Sequence, residues 1–357
     1  MNEDLAASQQ SSKGKEVDYL LQNSQSPDSV EVLPPRGLIN LEQTRFVPAK
    51  GIYNSTGNAC FVISFMQLIF SIPSIQKVFE NYEQQHNGIL TKSVTKLLQS
   101  MEQQDTVTAI QFFSSLENKL GTSFAGRHQQ DLKELFVLFT NSLSRECSLP
   151  NTVLADLMFA FETAKDNHPL STLTYSILEK EFTCKEITCK HSFTRLEPSQ
   201  HLELRFPGTE KNQWESATVK DLLCNSLTGT CERKCCLEDN VVHTETFRFV
   251  RPPELLFLFI TRDRANGQAP NRTLLHFSET LDIDEFLCEN NRGTLTAKLL
   301  AYAEHRGEDE NGHFICYGKR GEDWFCFNDD SCSIITPEEA LQPSKYAVIL
   351  LYQLTRV

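Results

Sequence analysis

The spacing of apolar residues changes once along this chain, and that change limits the possible folds more than any other feature. Between about residues 51 and 148 apolar side chains recur every three or four positions, as in 89–101 and 131–143, which predicts helices. From about Leu173 onward, short runs rich in Phe, Ile, Val and Tyr are separated by Gly, Pro, Asn and Asp, which predicts antiparallel strands. Helices followed by strands predict an α+β fold.

The first 35 residues are rich in Ser, Gln and charged side chains, and they end at Pro34-Pro35. We expect a disordered tail over 1–35 and one domain over 36–357. We expect no secretory signal, because the N-terminus lacks an apolar core, and no membrane helix, because no apolar run reaches ~18 residues. The twelve cysteines are then expected to be thiols, metal ligands or a nucleophile in a reducing compartment, the cytoplasm or the nucleus.

The chain is acidic, with 34 basic and 47 acidic residues and a net charge of −13. This charge argues against non-specific nucleic-acid binding, and it favours either a basic partner or simple solubility. The acidity is concentrated in residues 278–339, which contain 15 acidic and 5 basic residues. This stretch is interpreted either as a solvated face or as a groove that attracts a cationic peptide.

One cysteine occupies a position suited to nucleophilic chemistry. Gly57 and Asn58 predict a turn, and Cys60 follows at the start of an apolar segment that predicts a buried helix. Free amide groups and the helix dipole at such a start favour the thiolate, which is the nucleophilic form. The alternative is an inert buried cysteine.

A base and its orienting partner are found near the other end of the chain. His313 stands at the start of a strand-like run, and a hairpin through residues 319–322 would bring Asn328 beside it. An amide or carboxylate at that position accepts a hydrogen bond from one ring nitrogen of the histidine. The other ring nitrogen is then free to take the proton of the cysteine thiol. His305 is the rival base.

Four segments resemble the sequence motifs of a known family and occur in the same order along the chain. They are the Cys60 segment at 51–73, QQDLKE at 129–134, PPELLFLFITRDR at 252–264, and the histidine segment at 305–329. On these residues the chain resembles the ubiquitin-specific protease family of deubiquitinases over about residues 50–355. The matching positions of the first segment are Gly51, Asn54, Gly57, Asn58, Cys60, Phe61, Ser64, Gln67 and Pro73. Those of the last segment are His305, Gly307, Gly312, His313, Phe314, Trp324, Phe327, Asn328 and Asp329.

The resemblance implies a papain-like fold with a helical thumb at about 51–170, β-rich fingers at about 171–250 and a palm at about 251–355. It implies hydrolysis of the isopeptide or peptide bond after the C-terminal glycine of ubiquitin, through an acyl-enzyme and without a catalytic cofactor. The implied partners are ubiquitin and ubiquitinated proteins, with no nucleic acid and no membrane.

The resemblance also assigns roles to individual residues. Cys60 becomes the nucleophile, His313 the general base and acid, and Asn328 the third member, with Asp329 as a second candidate. The family's oxyanion donor is an Asn five positions before the cysteine, whereas Asn54 lies six before Cys60 and Ser55 occupies the fifth position. Asn54 is the candidate donor, and the inserted residue raises the alternative of a weakly active ubiquitin-binding protein.

Two carboxylates are candidates for substrate binding. Asp131 and Glu134 are three residues apart, so they share a face if the segment is helical. By resemblance they hold the ubiquitin tail, whose arginines need carboxylates. The alternative for these two residues is a solvated acidic pair. An alternative for the whole chain is a thiol protease that acts on a ubiquitin-like modifier such as SUMO.

A second group of cysteines has the composition of a metal site. Cys184 and Cys189 precede Cys231, Cys235 and Cys236, and many family members hold a structural zinc ion between two such pairs. Four thiolates satisfy tetrahedral zinc. The spacings in CKEITC and CERKCC are uneven, so a metal-free sheet with ordinary cysteines is the alternative.

Overall fold

The structure is a computed structural model that describes the chain from residue 45 to residue 356 with gaps. The described residues are 45–85, 88–121, 131–146, 168–186, 189, 191–206, 214–235, 238–262, 270–293, 295–307 and 312–356. The predicted tail at 1–35 lies outside them.

Helices dominate the described part of the first half, as the apolar spacing predicts. They are α1 (Cys60–Phe70), α2 (Ile75–Gln85), α3 (Ile89–Gln103), α4 (Ile110–Leu120), α5 (Leu132–Glu146) and α6 (Pro169–Thr174). Two further short helices, α7 (Val219–Ser226) and α8 (Pro337–Ala340), lie among the strands of the second half. All eleven residues of α1 are buried, which its nearly uninterrupted apolar sequence requires. Among the described residues no single helix is long and apolar enough to cross a membrane, although α1 and α2, bent by 94°, pass such a test as a pair.

Strands dominate the second half, which confirms the predicted α+β class. They are β1 (Ser176–Cys184), β2 (Ser192–Ser199), β3 (Leu202–Arg205), β4 (Ser216–Thr218), β5 (Thr228–Cys235), β6 (Glu238–Arg251), β7 (Leu255–Thr261), β8 (Leu274–His276), β9 (Thr280–Leu281), β10 (Leu295–Arg306), β11 (His313–Arg320), β12 (Asp323–Asn328), β13 (Ser331–Ile335) and β14 (Ala347–Arg356).

The strands form a four-stranded sheet, an eight-stranded sheet and a two-stranded sheet. The first has the order β2-β1-β6-β5, and the second runs β13-β12-β11-β10-β14-β7-β3 with β9 paired to β10. The prediction that all strands are antiparallel is wrong at two places, since β3 pairs with β7 and β4 with β8 in parallel. These pairs join strands far apart in sequence, which alternation within one segment cannot reveal.

The central strands of the eight-stranded sheet are buried on both faces. Leu255, Phe257 and Phe259 of β7 join the core beneath the helices, whereas Leu256, Leu258 and Ile260 join a second core on the opposite face. Successive side chains of a strand point to opposite faces, so the uninterrupted apolar run of β7 suits a central strand. Helix α1 packs in the first core, and β11 and β12 carry the histidine segment beside it.

Candidate active site

Cys60 is the first residue of α1, as predicted, and its side chain is buried. The residue before the helix, Ala59, has no side chain that caps it. The side-chain oxygen of Asn54 does this instead, because it accepts hydrogen bonds from the amides of Gly57 (2.9 Å) and Ala59 (3.2 Å). Asn54 therefore holds the turn from which α1 starts.

His313 and Asn328 are brought together as the hairpin predicts. Strands β11 and β12 pair with Arg320 opposite Asp323, and Nε2 of His313 lies 2.6 Å from Oδ1 of Asn328. An amide oxygen only accepts, so Nε2 carries the proton and Nδ1 is left with its lone pair. The backbone amide of Phe314, next to His313, also hydrogen-bonds the Cys60 thiol. The three side chains thus share one site.

The acidity of Cys60 differs from the expectation at a helix start. Burial raises the pKa of the Cys60 thiol above its usual value, and the negative charge of Asp329 acts in the same direction. The amides of Phe314, Phe61 and Cys60 lower this pKa, as a helix start predicts, but desolvation outweighs them. The free protein therefore holds Cys60 as a thiol, and its deprotonation needs a base.

The turn after β12 locks onto the segment before the cysteine. Nδ2 of Asn54 donates to Oδ2 of Asp329 across 3.0 Å, and the amide of Ile52 donates to the carbonyl of Asp329 across 2.7 Å. Asp329 adopts a left-handed backbone with φ of 51°, which Asp tolerates better than most residues. A Cβ on Gly51 would lie 2.1 Å from the carbonyl oxygen of Asp330, so this approach requires glycine.

The inserted residue of the cysteine segment does not displace Asn54 from this network. Ser55, at the literal fifth position before Cys60, is exposed, and its amide bonds only to the carbonyl of Tyr53 at 3.2 Å. Residues 55–58 form an exposed turn between Asn54 and Ala59, which are joined by a hydrogen bond from the Ala59 amide to Oδ1 of Asn54.

A cavity of about 380 Å³ opens beside this site. Its lining residues are Asp131, Leu132, Lys133, Glu134, Glu203, Phe259, Ile260, Thr261, Arg262, Pro270, Arg272, His305, Phe314 and Val348. Its carboxylates belong to Asp131, Glu134 and Glu203, and none of these lies in the acidic stretch 278–339. That stretch contributes only His305 and Phe314 to the lining.

Both predicted substrate-binding carboxylates line the cavity. Oδ1 of Asp131 accepts from the amides of Lys133 (2.6 Å) and Glu134 (3.4 Å), so Asp131 also caps α5. Glu134 is exposed and forms no ion pair within the described part of the chain. Both fit an acidic subsite, although Asp131 divides its carboxylate between helix and cavity.

Glu203 is a cavity residue that the sequence did not single out. It lies on β3, where Leu202 and Leu204 point inward and Glu203 outward, and it pairs with Lys133 of α5 at 3.0 Å. Alternation in HLELRF predicts its exposure, but only the parallel pairing of β3 with β7 brings it beside α5.

His305, the rival base, lies in a different environment. Its ring stacks on Phe314 with centroids 4.4 Å apart, and it lines the cavity. Across β10 and β11 it pairs with Phe314, whereas His313 pairs with Arg306. The hydrogen bond to Asn328 belongs to His313 alone.

Three of the predicted metal ligands converge in the four-stranded sheet. The sulfur atoms of Cys184, Cys189 and Cys235 all lie within 4.8 Å of one another, and Sγ of Cys189 lies 3.4 Å from that of Cys235. In a tetrahedral site with Zn–S bonds of ~2.3 Å, the sulfurs lie ~3.8 Å apart. The donors and their spacing therefore fit zinc.

Among the described residues, the one remaining cysteine of the prediction does not complete this cluster. Cys231 is not one of the converging thiols; it pairs with His243 across β5 and β6, and its side chain hydrogen-bonds Glu245. Cys236 lies outside the described residues. Instead, Nδ1 of His191 lies 3.7 Å from Sγ of Cys235, so His191 is a nearby nitrogen donor that the sequence reasoning missed. The short Cys189-x-His191 spacing was the available signal.

Comparison with known proteins identifies the family. Residues 51–352 match the family model described as ubiquitin carboxyl-terminal hydrolase, which covers all of the site residues above. This class is that of cysteine-type ubiquitin hydrolases. The chain belongs to the ubiquitin-specific proteases of this class.

Two relatives show how far the likeness extends. The chain is 21% identical over 316 residues to ubiquitin carboxyl-terminal hydrolase 11 of Schizosaccharomyces pombe, covering 85% of this chain and 84% of that protein. It is 22% identical over 349 residues to ubiquitin carboxyl-terminal hydrolase 36 of Drosophila pseudoobscura pseudoobscura, covering 92% of this chain but 32% of that protein.

Solved structures agree on the fold. The SAGA Ubp8/Sgf11/Sus1/Sgf73 DUB module bound to ubiquitin aldehyde matches with a TM-score of 0.69 and 18% identity, over 88% of this chain and 72% of that chain. The mutant module bound to monoubiquitin matches with the same TM-score and identity. The predicted papain-like fold of ubiquitin-specific proteases is confirmed.

Proposed function

We propose that this chain cleaves the isopeptide or peptide bond after the C-terminal glycine of ubiquitin, with Cys60 as nucleophile, His313 as general base and acid, and Asn328 as orienter. The observation that carries the proposal is the 2.6 Å contact between His313 and Asn328 next to the thiol of Cys60. Family membership supports the reaction class, and this contact supports the division of roles.

The tautomer of His313 determines the proposed route of the proton. Because Nε2 donates to Asn328, Nδ1 accepts the proton of the Cys60 thiol, whose raised pKa keeps it protonated beforehand. The sulfur attacks the glycine carbonyl, and Nδ1–H then protonates the departing amine. The resulting thioester is hydrolysed by a water molecule that gives its proton to His313, which restores the thiol.

Asn54 is the proposed side-chain donor for the oxyanion. Its Nδ2 has two hydrogens, of which one is directed at Asp329, while its Oδ1 is held by the amides of Gly57 and Ala59. These contacts fix the plane of the amide, and the second hydrogen remains for the oxygen that becomes negative in the transition state. Asp329 acts here through Asn54.

The cavity is the proposed channel for the ubiquitin tail. Its cations are engaged by protein oxygens: Lys133 pairs with Glu203, Arg262 bonds to the carbonyl of Ala347, and Arg272 bonds to the carbonyl of Gly307. The carboxylates of Asp131 and Glu134 are then left to meet a basic peptide. The ubiquitin-bound structures of the DUB module support ubiquitin as that partner.

The sequence analysis leaves two alternative functions. A weak ubiquitin-binding protein would follow if the insertion removed the oxyanion donor, but the contact of Asn54 with Asp329 argues against this. A protease for a modifier such as SUMO has the same chemistry, and the family of the relatives favours ubiquitin.

One experiment separates the three functions. Ubiquitin and SUMO, each joined through the terminal glycine to a fluorogenic amine, are offered to wild-type protein and to Cys60→Ser. We expect release from ubiquitin only, none from Cys60→Ser, and ubiquitin binding by both proteins. Binding without release would support the weak binder, and preferential release from SUMO would overturn the choice of substrate.

We further propose a structural zinc ion held by Cys184, Cys189 and Cys235, with Nδ1 of His191 as fourth ligand. The three thiolates, within 4.8 Å of one another, suit tetrahedral coordination. The imidazole nitrogen lies 3.7 Å from Cys235 but outside this group of three, so the His191 side chain would have to turn towards the other two sulfurs to complete the set. Such an ion would join β1 and β5 with the loop that leads into β2. It stabilises the fold and takes no part in the chemistry of Cys60.

A further inference from the structure

Arg320, the last residue of β11, is a buried cation that the proposed chemistry does not use. It is 7% exposed, and among the described residues it forms no ion pair with a carboxylate. Burial lowers the pKa of its guanidinium to about 10, so it remains charged at neutral pH. Burying an unpaired charge is unfavourable, and hydrogen bonds must compensate for the lost hydration.

Apart from the carbonyl of Lys319, to which Nη1 also donates at 2.9 Å, the partners of Arg320 lie at the C-terminal end of α1. Its Nη1 donates to Oγ of Ser71 at 2.6 Å, and its Nη2 donates to Oε1 of Gln67 at 2.7 Å and to the carbonyl of Gln67 at 3.3 Å. The last carbonyls of a helix carry partial negative charge, which makes this end the favourable place for a cation. The helix end thus serves as the counter-charge.

These hydrogen bonds fix the position and rotation of α1, which its apolar packing does not fix. The helix is buried on every side, and apolar burial is not directional, so it does not by itself fix how far the helix slides or turns. Gln67 and Ser71 are one helical turn apart. A planar guanidinium that hydrogen-bonds to both residues therefore fixes the axial position and the rotation of the helix. Gly318 allows the close approach, since a Cβ there would lie 2.2 Å from Oγ of Ser71.

The same contacts reach each segment of the proposed site. The guanidinium carbon lies 4.5 Å from the ring centroid of Phe327, which directly precedes Asn328. Nε2 of Gln67 donates to the carbonyl of Lys50 at 2.8 Å, at the start of the segment that leads to Asn54. Arg320 itself ends the strand that His313 begins, and Gln67 lies in the helix that Cys60 begins.

We propose that Arg320 is a positioning residue, which, with Gln67, fixes α1 relative to β11 and β12 so that Cys60, His313 and Asn328 stay in register. The inference rests on the proposed function, because it assumes that these three residues perform the chemistry. A displacement of ~1 Å at a reacting group is enough to lower a rate ~10²-fold, so a contact remote from the substrate can control turnover.

The test compares Arg320→Met, Arg320→Lys and Gln67→Met with Arg195→Met, a control on β2 whose side chain is 67% exposed. Hydrolysis of the fluorogenic ubiquitin substrate gives kcat and KM, and thermal unfolding reports stability. For Arg320→Met we expect kcat to fall about 10²-fold while KM changes less than about twofold. Lysine keeps the charge and one donor direction, so Arg320→Lys should recover part of kcat.

A double variant tests whether the two side chains act as one unit. If they do, Arg320→Met combined with Gln67→Met should lower kcat no further than the worse single variant. Gln67→Met also removes hydrogen bonds without removing the charge, which keeps the test decisive should Arg320→Met reduce the yield of folded protein.

Two results would overturn the inference. If Arg320→Met and Gln67→Met lower only the unfolding temperature, with kcat per folded molecule equal to that of Arg195→Met, then Arg320 is a purely structural residue. A wild-type chain that does not release the fluorophore would instead overturn the proposed function together with this inference. The two failures are therefore distinct.

Discussion

The side-chain amide of Asn54 donates a hydrogen bond to Oδ2 of Asp329 across 3.0 Å, although 275 positions separate the two residues in the chain. This bond joins the loop before the nucleophile to the turn after β12. The same Asn54 side chain accepts from the amide of Ala59, so the loop that contains the inserted residue is anchored on both sides.

Removal of the Asn54 side chain is expected to impair turnover rather than binding. We expect Asn54→Ala to lower kcat about 10²–10³-fold, the usual effect of losing one oxyanion donor, with KM little changed. Ser55→Ala, in the adjacent exposed position, is the matched control and should retain wild-type rates. Steady-state hydrolysis of the ubiquitin substrate measures both, and equal rates for Asn54→Ala and Ser55→Ala would exclude Asn54 as the donor.

The two candidate bases differ in their expected contributions. His313→Ala should reduce kcat by about 10²–10⁴-fold, because it removes the acceptor of the thiol proton. His305→Ala should cost far less, since His305 stacks on Phe314 and lacks the contact with Asn328. Asn328→Ala should have an intermediate effect. The reverse ranking of the two histidines in the same hydrolysis assay would refute our assignment.

The pH dependence of Cys60 modification follows from its raised pKa. A thiol whose pKa lies above its usual value stays neutral over a wider pH range, so the thiolate fraction at pH 7 is small and rises with pH. We expect the rate of iodoacetamide alkylation of the free protein to increase with a midpoint above pH 9, the ordinary value being 9.0. Mass spectrometry of the peptide that contains Cys60 follows this rate. A midpoint near pH 7 would instead indicate a preformed thiolate.

Charge reversal in the cavity is expected to act on substrate affinity. Asp131→Lys combined with Glu134→Lys should raise KM and weaken ubiquitin binding, because lysines would face a basic tail. Glu322→Lys with Glu338→Lys makes the same change of charge at exposed positions outside the cavity lining and is the control. Titration of ubiquitin onto Cys60→Ser carrying each pair measures the affinity. Equal affinities would show that Asp131 and Glu134 are only a solvated pair.

Metal analysis tests the zinc proposal without an activity assay. About one equivalent of zinc should co-purify with the wild-type chain and be lost from Cys189→Ser. His191→Ala should weaken retention of the metal during dialysis against a chelator. Cys231→Ser is the control, because Cys231 contacts Glu245 rather than the cluster, and it should retain zinc. Wild-type protein free of metal, or equal loss from Cys231→Ser, would contradict the proposed ligand set.

Local pattern in the sequence predicted those features that depend on near neighbours. The change of apolar spacing predicted the α+β class, and the turn before an apolar segment predicted that Cys60 begins a helix. The meeting of His313 and Asn328 was also predictable, because the two residues are only 15 positions apart and a two-residue turn at Gly321 and Glu322 pairs β11 with β12. Such geometry follows from strand register and turn length alone.

The tertiary structure decided what depends on contacts between distant segments. Asn54 meets Asp329, Arg320 meets Gln67, and His191 meets Cys235, and each pair is joined by packing of elements whose relative position no local pattern encodes. The acidity of Cys60 belongs to the same category. The helix start and its amides were predictable and favour the thiolate, but the degree of burial, which only the packed core sets, outweighs them and raises the pKa.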